Sequence, residues 1–122
     1  MIRAVDGQGI DIAPSSGLHA ICPGCHTEVL AKCGEINVWH WAHTARADCD
    51  TWSEPESEWH RWRKDQFLPE CREVVIGNHR ADIRTDRSIV IELQHSPISP
   101  AEIHEREEFY GRMIWIVDTV PF

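Results

Sequence analysis

Between Asp82 and Gln94, two carboxylates and an amide recur at strand spacing. From Ala81 the stretch reads A-D-I-R-T-D-R-S-I-V-I-E-L-Q. Asp82 belongs to one short apolar segment. Glu92 and Gln94 belong to the next, across the turn-like Thr85-Asp86-Arg87-Ser88. Strand residues two apart share a face, so Glu92 and Gln94 point one way while Ile91 and Leu93 point the other. A hairpin of the two segments sets Asp82 alongside Glu92. Two carboxylates and an amide then converge at the edge of a sheet whose other face is apolar. That donor set suits a hard divalent cation such as magnesium, which takes one or two carboxylates together with water and phosphate oxygens.

A second set of residues suits a softer metal. Cys22 and Cys25 have the C-x2-C spacing of a zinc knuckle, in which a tight turn aims two thiolates at one ion. His40 and His43, in Trp39-His40-Trp41-Ala42-His43, complete a Cys2His2 set. The histidine spacing is one residue shorter than the common range, which leaves His26, Cys33 and Cys49 as competitors for a ligand position. Five cysteines would leave one over in any complete disulfide framework, and their clustering with histidines favours zinc in a reducing compartment. Four protein ligands leave no open position, so this zinc is expected to be structural. His26-Thr27-Glu28 matches the H-x-E of zinc deaminases, but the cysteine pair precedes it and no second pair follows, the wrong order for that chemistry.

The elements that must position these groups follow from pattern. Met1 to Asp6 and Ile10 to Ala13 flank Gly7-Gln8-Gly9 as a small hairpin, and Glu28 to Cys33 and Asn37 to His43 read as two strands joined by Gly34-Glu35. Thr44 to Trp52 reads as a linker. A helix is expected from Ser53, with Glu56 closing a capping box, Pro55 in the first turn and Pro69 beyond its end. Its apolar stripe is Trp59, Trp62 and Gln66, with Glu58 at the edge and His60, Arg61 and Lys64 pointing away. Strands follow at Glu73–Ile76, His79–Thr85 and Ser88–His95. The second helix has Ser99 as cap, Pro100 first, Glu102 closing the box and Gly111 as the stop. Met113 to Val117 is a continuously apolar strand. The order helix–strand–strand–strand–helix–strand predicts an α/β sandwich around one mixed sheet. Residues 1–50 read as a β-rich, zinc-ribbon-like module and 51–122 as the core domain.

Composition sets limits on partners. The net charge of -8 argues against a uniformly basic nucleic-acid-binding surface, though a local basic patch remains compatible with it. No apolar run reaches membrane-spanning length and no signal-peptide pattern opens the chain, so a soluble, cytoplasmic protein with no membrane partner is expected.

Taken as a set, several motifs resemble the nuclease-like region of the CoiA family of competence proteins, within the PD-(D/E)xK nuclease superfamily. They are the C-P-x-C at Cys22 to Cys25, the H-x-A-H at His40 to His43 and S-E-W-H-R-W-R-K at Ser57 to Lys64. H-R-A-D at His79 to Asp82, E-L-Q at Glu92 to Gln94 and F-Y-G-R-M-I-W-I-V-D at Phe109 to Asp118 continue the match. The resemblance implies a PD-(D/E)xK core of α-β-β-β-α-β order, with Glu58, Asp82 and Glu92 as its acidic positions and Gln94 where lysine is usual. A glutamine can orient water but offers neither a base nor a charge, so the metal, His60, Arg80 or a second metal would have to supply the help. Some superfamily members are similar in carrying Gln or Glu there. Proteins resembling this one continue past the strand ending at Asp118, which makes Thr119 to Phe122 a candidate truncation point.

The function this implies is a metal-dependent endonuclease acting on DNA. Asp82 and Glu92, with Glu58, hold magnesium or manganese. Gln94 places the water, and Arg61, Lys64, Arg80 and Arg84 meet the phosphates. A homodimer is one arrangement compatible with that chemistry. The alternative is a catalytically weak, zinc-stabilised nucleic-acid-binding or adaptor module, favoured by the acidic balance and the missing lysine. A DNA-mimic role is disfavoured because the acids are not in blocks.

Overall fold

Short strands joined by tight turns build the N-terminal part of the computed structural model, which describes residues 1–45 and 48–120. Residues 46–47 of the expected linker and 121–122 of the expected chain end lie outside the described residues. β1 (Ala4–Val5) and β2 (Asp11–Ile12) form the anticipated hairpin. Its turn is held by the Asp6 carboxylate, which accepts from the N–H groups of Gln8 and Ile10, while Gly9 supplies a φ of 82°. β3 (His19–Ile21), β4 (Glu28–Lys32) and β5 (His40–His43) complete an antiparallel sheet of order β2-β1-β3-β4-β5. Alternation along β4 and β5 turns Val29, Ala31 and Trp41 inward, where they pack with Met1, Ala4, Ala20 and Cys22.

The second sheet follows the expected element order. α1 (Glu58–Lys64) leads through a 3-10 turn at Pro69–Cys71 to β6 (Arg72–Ile76), β7 (His79–Arg84) and β8 (Val90–Gln94). α2 (Pro100–Tyr110) then crosses over to β9 (Met113–Val117). The continuous apolar run of β9 suits a buried strand, but β9 lies at the edge of the sheet with none of its residues buried. The sheet order is β6-β7-β8-β9; its first pairs are antiparallel and β8–β9 is parallel. The result is a mixed α/β fold with two sheets. Among the described residues no helix is long and apolar enough to cross a membrane.

The two helices differ in how fully their sequences announce them. α2 starts and stops where its caps dictate: Ser99 Oγ accepts from Glu102 N–H at 3.1 Å, and Gly111 takes the C-cap at φ 74°. α1 starts later than expected. Its cap is Ser57, whose Oγ accepts from His60 N–H at 3.2 Å, and not Ser53. The residues between them serve other contacts. Glu54 receives the N–H groups of His95 and Ser96 at 2.9 and 3.0 Å, which ties this segment to the end of β8. The face of α1 is also turned. His60 and Lys64, four residues apart, are buried, while Trp62 is 54% exposed and Gln66 is exposed. Trp59 keeps the expected apolar contact, packing on Ile83, Ile91 and Leu93, while ion pairs hold the His60–Lys64 side of the helix.

Residues 48–52 tie the sheets together. The Asp50 carboxylate lies 2.8 Å from His79 Nδ1 and accepts from Arg80 N–H at 2.7 Å and Trp52 N–H at 3.0 Å. Asp48 accepts from Arg80 Nη2 at 2.8 Å. Trp52 stacks flat on His79, with ring centroids 3.4 Å apart. At the chain start, Ile2 N–H donates to Glu73 Oε2 at 2.5 Å.

Candidate metal centre and buried acidic site

The knuckle Cys22-Pro23-Gly24-Cys25 follows β3. His26, with φ 62°, closes the turn by donating its N–H to the Cys22 carbonyl at 2.9 Å. Cys22, Cys25, His43 and Cys49 converge, each offering one ligand atom within 4.8 Å of the others. Cys22 Sγ and Cys49 Sγ are 3.8 Å apart, and Cys25 Sγ is 3.4 Å from His43 Nε2. Zinc at about 2.3 Å from sulfur and about 2.0 Å from nitrogen in a tetrahedron requires edges of about 3.8 and 3.5 Å. The donor set and its spacing therefore fit a metal ion such as zinc. Burial and the adjacent Cys22 push the Cys49 thiol up to about 12, because three thiols cannot all ionise side by side without a cation among them.

His40, expected as the fourth ligand, is not in this group. Its Nδ1 lies 2.8 Å from the Val38 carbonyl, and Cys49 takes the position instead. The reason is alternation: His40 and His43 are three apart in a strand and face opposite sides of the sheet. His26 and Cys33 are outside the group as well.

The second centre is a row of acids. β6, β7 and β8 pair Val74 with Ala81 and Ile83 with Ile91. One residue along each register stand Glu73, Asp82 and Glu92, a carboxylate on each of three neighbouring strands. Here the ladder gives way to side chains: Asp82 N–H donates to Glu92 Oε2 at 3.1 Å, and Leu93 N–H donates to Asp82 Oδ2 at 2.9 Å. Glu73 has a left-handed φ of 48°, a conformation that costs energy for a residue with a Cβ and that recurs where function constrains the backbone. Glu54 and Glu56, from the segment before α1, join these three around a cavity of about 20 Å³, room for about one water molecule.

Three cations face the five carboxylates. Lys64 contacts Glu56, Glu73 at 3.5 Å and Asp82 at 3.9 Å. Burial alone would favour its neutral form, but Glu73, Glu56 and Asp82 overcome that and hold it above the ordinary lysine range. Arg80 lies 3.5 Å from Glu73, and Arg106 reaches from α2 to Glu92 at 3.4 Å and the Trp52 carbonyl at 3.0 Å. His60 sits 3.6 Å from Glu54 Oε1 and 3.2 Å from the Leu93 carbonyl. Burial works against its charge, but Glu54 and the nearby acids raise its pKa.

The acids split by environment. Burial would raise Glu54, yet His60, Ser96 and the His95 N–H hold it down at about 2. Glu73 is likewise depressed, Lys64 overcoming burial. Asp82 is raised by burial despite Lys64, and Glu92 is raised well above the carboxylate range by burial and by the charge of Asp82. Two adjacent carboxylates, Glu92 buried and Asp82 partly exposed, that resist joint ionisation are a place where a divalent cation would be electrostatically welcome. Glu56 Oε2 adds a buried oxygen with no hydrogen-bond partner among the described residues. Asp82, Glu92 and Glu56 thus offer hard oxygen donors of the kind magnesium takes.

Other expected residues lie elsewhere. Glu58 is exposed on α1 and does not line the cavity. Gln94 is buried below Glu92, its Nε2 donating to the Ser96 carbonyl at 2.7 Å, and is also outside the lining. Lys64 and Arg80 are not surface groups but members of the buried ion network; Arg61 is half-exposed beside Asp65, and Arg84 is exposed. Glu54, Glu56, Glu73 and Arg106 went unread in the sequence. The E-P-E at Glu54–Glu56 was the available signal, hidden by its resemblance to a helix start.

Residues 19–52 match the family described as competence protein CoiA, N-terminal domain. No curated protein and no solved structure matches the chain. The matched span contains β3, β4 and β5 with all of Cys22, Cys25, His43 and Cys49, and it ends at Trp52, before the acids that follow. The likeness is to the N-terminal domain of CoiA, and the segment that carries it is the one holding the cysteine–histidine group.

Proposed function

We propose that this protein is a metal-dependent nuclease of PD-(D/E)xK type that hydrolyses phosphodiester bonds in DNA, with a structural zinc at Cys22, Cys25, His43 and Cys49. The observation that carries the reading is the acidic row Glu73–Asp82–Glu92 on three neighbouring strands, faced by the buried Lys64 of α1 and Arg106 of α2. Asp82 and Glu92, with Glu56, would hold magnesium or manganese. Such an ion supplies a lowered water pKa and charge compensation on the phosphate when bound. The chain's own groups do the rest. Lys64, fully charged at neutral pH, supplies from α1 the positive charge that Gln94 cannot supply from β8, and so offsets charge that grows on the phosphate oxygens. Arg106 fixes the Glu92 carboxylate, and backbone N–H groups of the opposing strand fix both acids. Glu54 and His60 lock the end of β8 to the start of α1.

A second reading, a nucleic-acid-binding or adaptor module without strong catalysis, is favoured by one feature: Lys64 and Arg106 already neutralise much of the acidic row. The test is cleavage of labelled single-stranded, duplex and branched DNA by zinc-loaded protein with magnesium or manganese, against Glu92→Gln and Asp82→Asn. Metal-dependent cutting is expected to fall at least about a hundredfold in each variant, as removal of a single charge-stabilising group does elsewhere. Undiminished cutting in both variants would make the acids structural. DNA binding with no cutting in the wild type would favour the adaptor.

A further inference from the structure

On the far side of Glu73 from the acidic cavity lies a cleft of about 230 Å³ that neither metal centre uses. Three arginines line it: Arg3 from the chain start, Arg61 from α1 and Arg72 from β6. In a chain of net charge -8 this is a local reversal of sign. Their acidic partners are few and exposed. Arg3 meets Asp11 at 3.0 Å, while Arg61 and Arg72 share Asp65 at 3.4 and 3.8 Å. Exposed pairs of this kind are worth little, so half-exposed Arg61 exchanges partners readily. Arg72 is instead held by the Phe67 carbonyl at 2.6 and 3.0 Å and the Asp65 carbonyl at 3.3 Å, and contributes a fixed charge. Their planar forks suit phosphate oxygens.

Next in the chain to Arg61, though outside the cleft lining, Trp62 stands on the outer face of α1 with half its surface in water. A tryptophan in that position packs no core. The Arg63 guanidinium lies 4.5 Å from its ring centroid and holds one face of the indole by a cation–π contact. A flat ring, pre-ordered and flanked by positive charge, is the arrangement on which unpaired bases stack. A duplex keeps its bases inside and cannot use it.

We propose that the Arg3–Arg61–Arg72 cleft and Trp62 form a docking site for single-stranded nucleic acid, phosphates in the cleft and a base on the indole. The inference rests on the nucleic-acid reading above but not on cleavage. Arg3 connects the two sites: its Nη1 donates to the Glu73 carbonyl at 3.3 Å, and the Glu73 side chain lines the acidic cavity.

The experiment is fluorescence anisotropy of labelled oligo-dT, oligo-rU and duplex DNA with zinc-loaded full chain and no added magnesium. The variants are Trp62→Ala, Arg61→Gln, Arg61→Lys and, as an exposed arginine outside the cleft, Arg87→Gln. Single strands are expected to bind more tightly than duplex. Trp62→Ala should weaken single-strand binding about five- to 150-fold, the range for loss of one base stack. Arg61→Gln should weaken it and flatten the salt dependence by about 0.7 of a log unit per log unit of salt, with Arg61→Lys recovering the slope. Comparison of dT with rU identifies the preferred sugar. Tight binding unaffected by Trp62→Ala and Arg61→Gln, or lost instead in Arg87→Gln, overturns the cleft and leaves the nucleic-acid reading standing. A wild type that binds no oligonucleotide overturns both.

Discussion

Replacing Lys64 by methionine tests whether the acidic row is an electrostatic unit. The substitution keeps most of the side-chain volume and removes one buried charge. Glu56, Glu73 and Asp82 then lose the ammonium that lies within 3.9 Å of Asp82 and 3.5 Å of Glu73. Removing one partner of a buried pair costs about 3–5 kcal/mol, because the remaining charge stays in a medium that solvates it poorly. A protein of this size has about 5–15 kcal/mol in total. At about 3–5 °C per kcal/mol for a chain of this length, the melting temperature should fall by about 10–20 °C. The pH profile follows with a definite sign. Lys64 is held above its ordinary value of 10.5, so its contribution is complete below that pH and fades only above it. Glu73 is depressed below 4.5, so what Lys64 gives through it is present above that pH and lost as pH falls toward the folded value. The gap between wild type and Lys64→Met should narrow below about pH 4.5 as Glu73 is protonated. The raised Asp82 and His60, which also feel Lys64, add a pH dependence above that value. Thermal unfolding by circular dichroism, repeated with Glu73→Gln and the double variant, reads the coupling. Millimolar magnesium should raise the melting point of Lys64→Met more than that of the wild type, since it answers the same unmet charge. A variant that melts within about 2 °C of the wild type, or a double variant whose losses simply add, would refute the argument.

Three further outcomes are expected. Cys49→Ser should lower bound zinc measured by mass spectrometry of the purified protein and lower its melting temperature, whereas His40→Ala should keep the metal. Glu54, depressed to about 2, contributes stability that is present above 4.5 and lost as pH falls toward 2, so Glu54→Gln should flatten the melting-temperature profile across that window. Trp52→Ala empties the space against His79, Phe109 and Tyr110 and should cost about 3–5 kcal/mol in urea unfolding; a loss under about 1 kcal/mol would mean that the ring cluster repacks.

Local rules carried the sequence reading as far as local forces reach. α2 and its caps, β9 and the order of the six C-terminal elements follow from propensity, capping and apolar runs, which act within a few residues. The C-x2-C knuckle was legible for the same reason. Cys49 was weighed only as a competitor, because its place depends on a return of the chain that no spacing rule encodes. Trp59 of the expected stripe packs on the core, but Trp62 and Gln66 face water and His60 and Lys64 are buried instead. That exchange was not legible because a tryptophan outweighs a histidine or a lysine on any hydropathy scale. Only the acids arriving from β6, β7 and the Glu54–Glu56 segment reverse that preference. β3, three residues between a turn and the knuckle, shows no alternation long enough to read.

The stretch from Asp48 to Trp52 has a consequence for cooperativity. Cys49 belongs to the thiolate group, while its neighbours Asp48 and Asp50 grip Arg80 and His79 on the other sheet. Releasing Cys49 loosens the flanking carboxylates, and through Arg80 it reaches Glu73. The halves therefore share one melting transition: a chelator should shift a single calorimetric peak downward instead of splitting off an early one. A metal ion held by the cysteine–histidine group would then also set how long the acidic row in the second sheet keeps its shape.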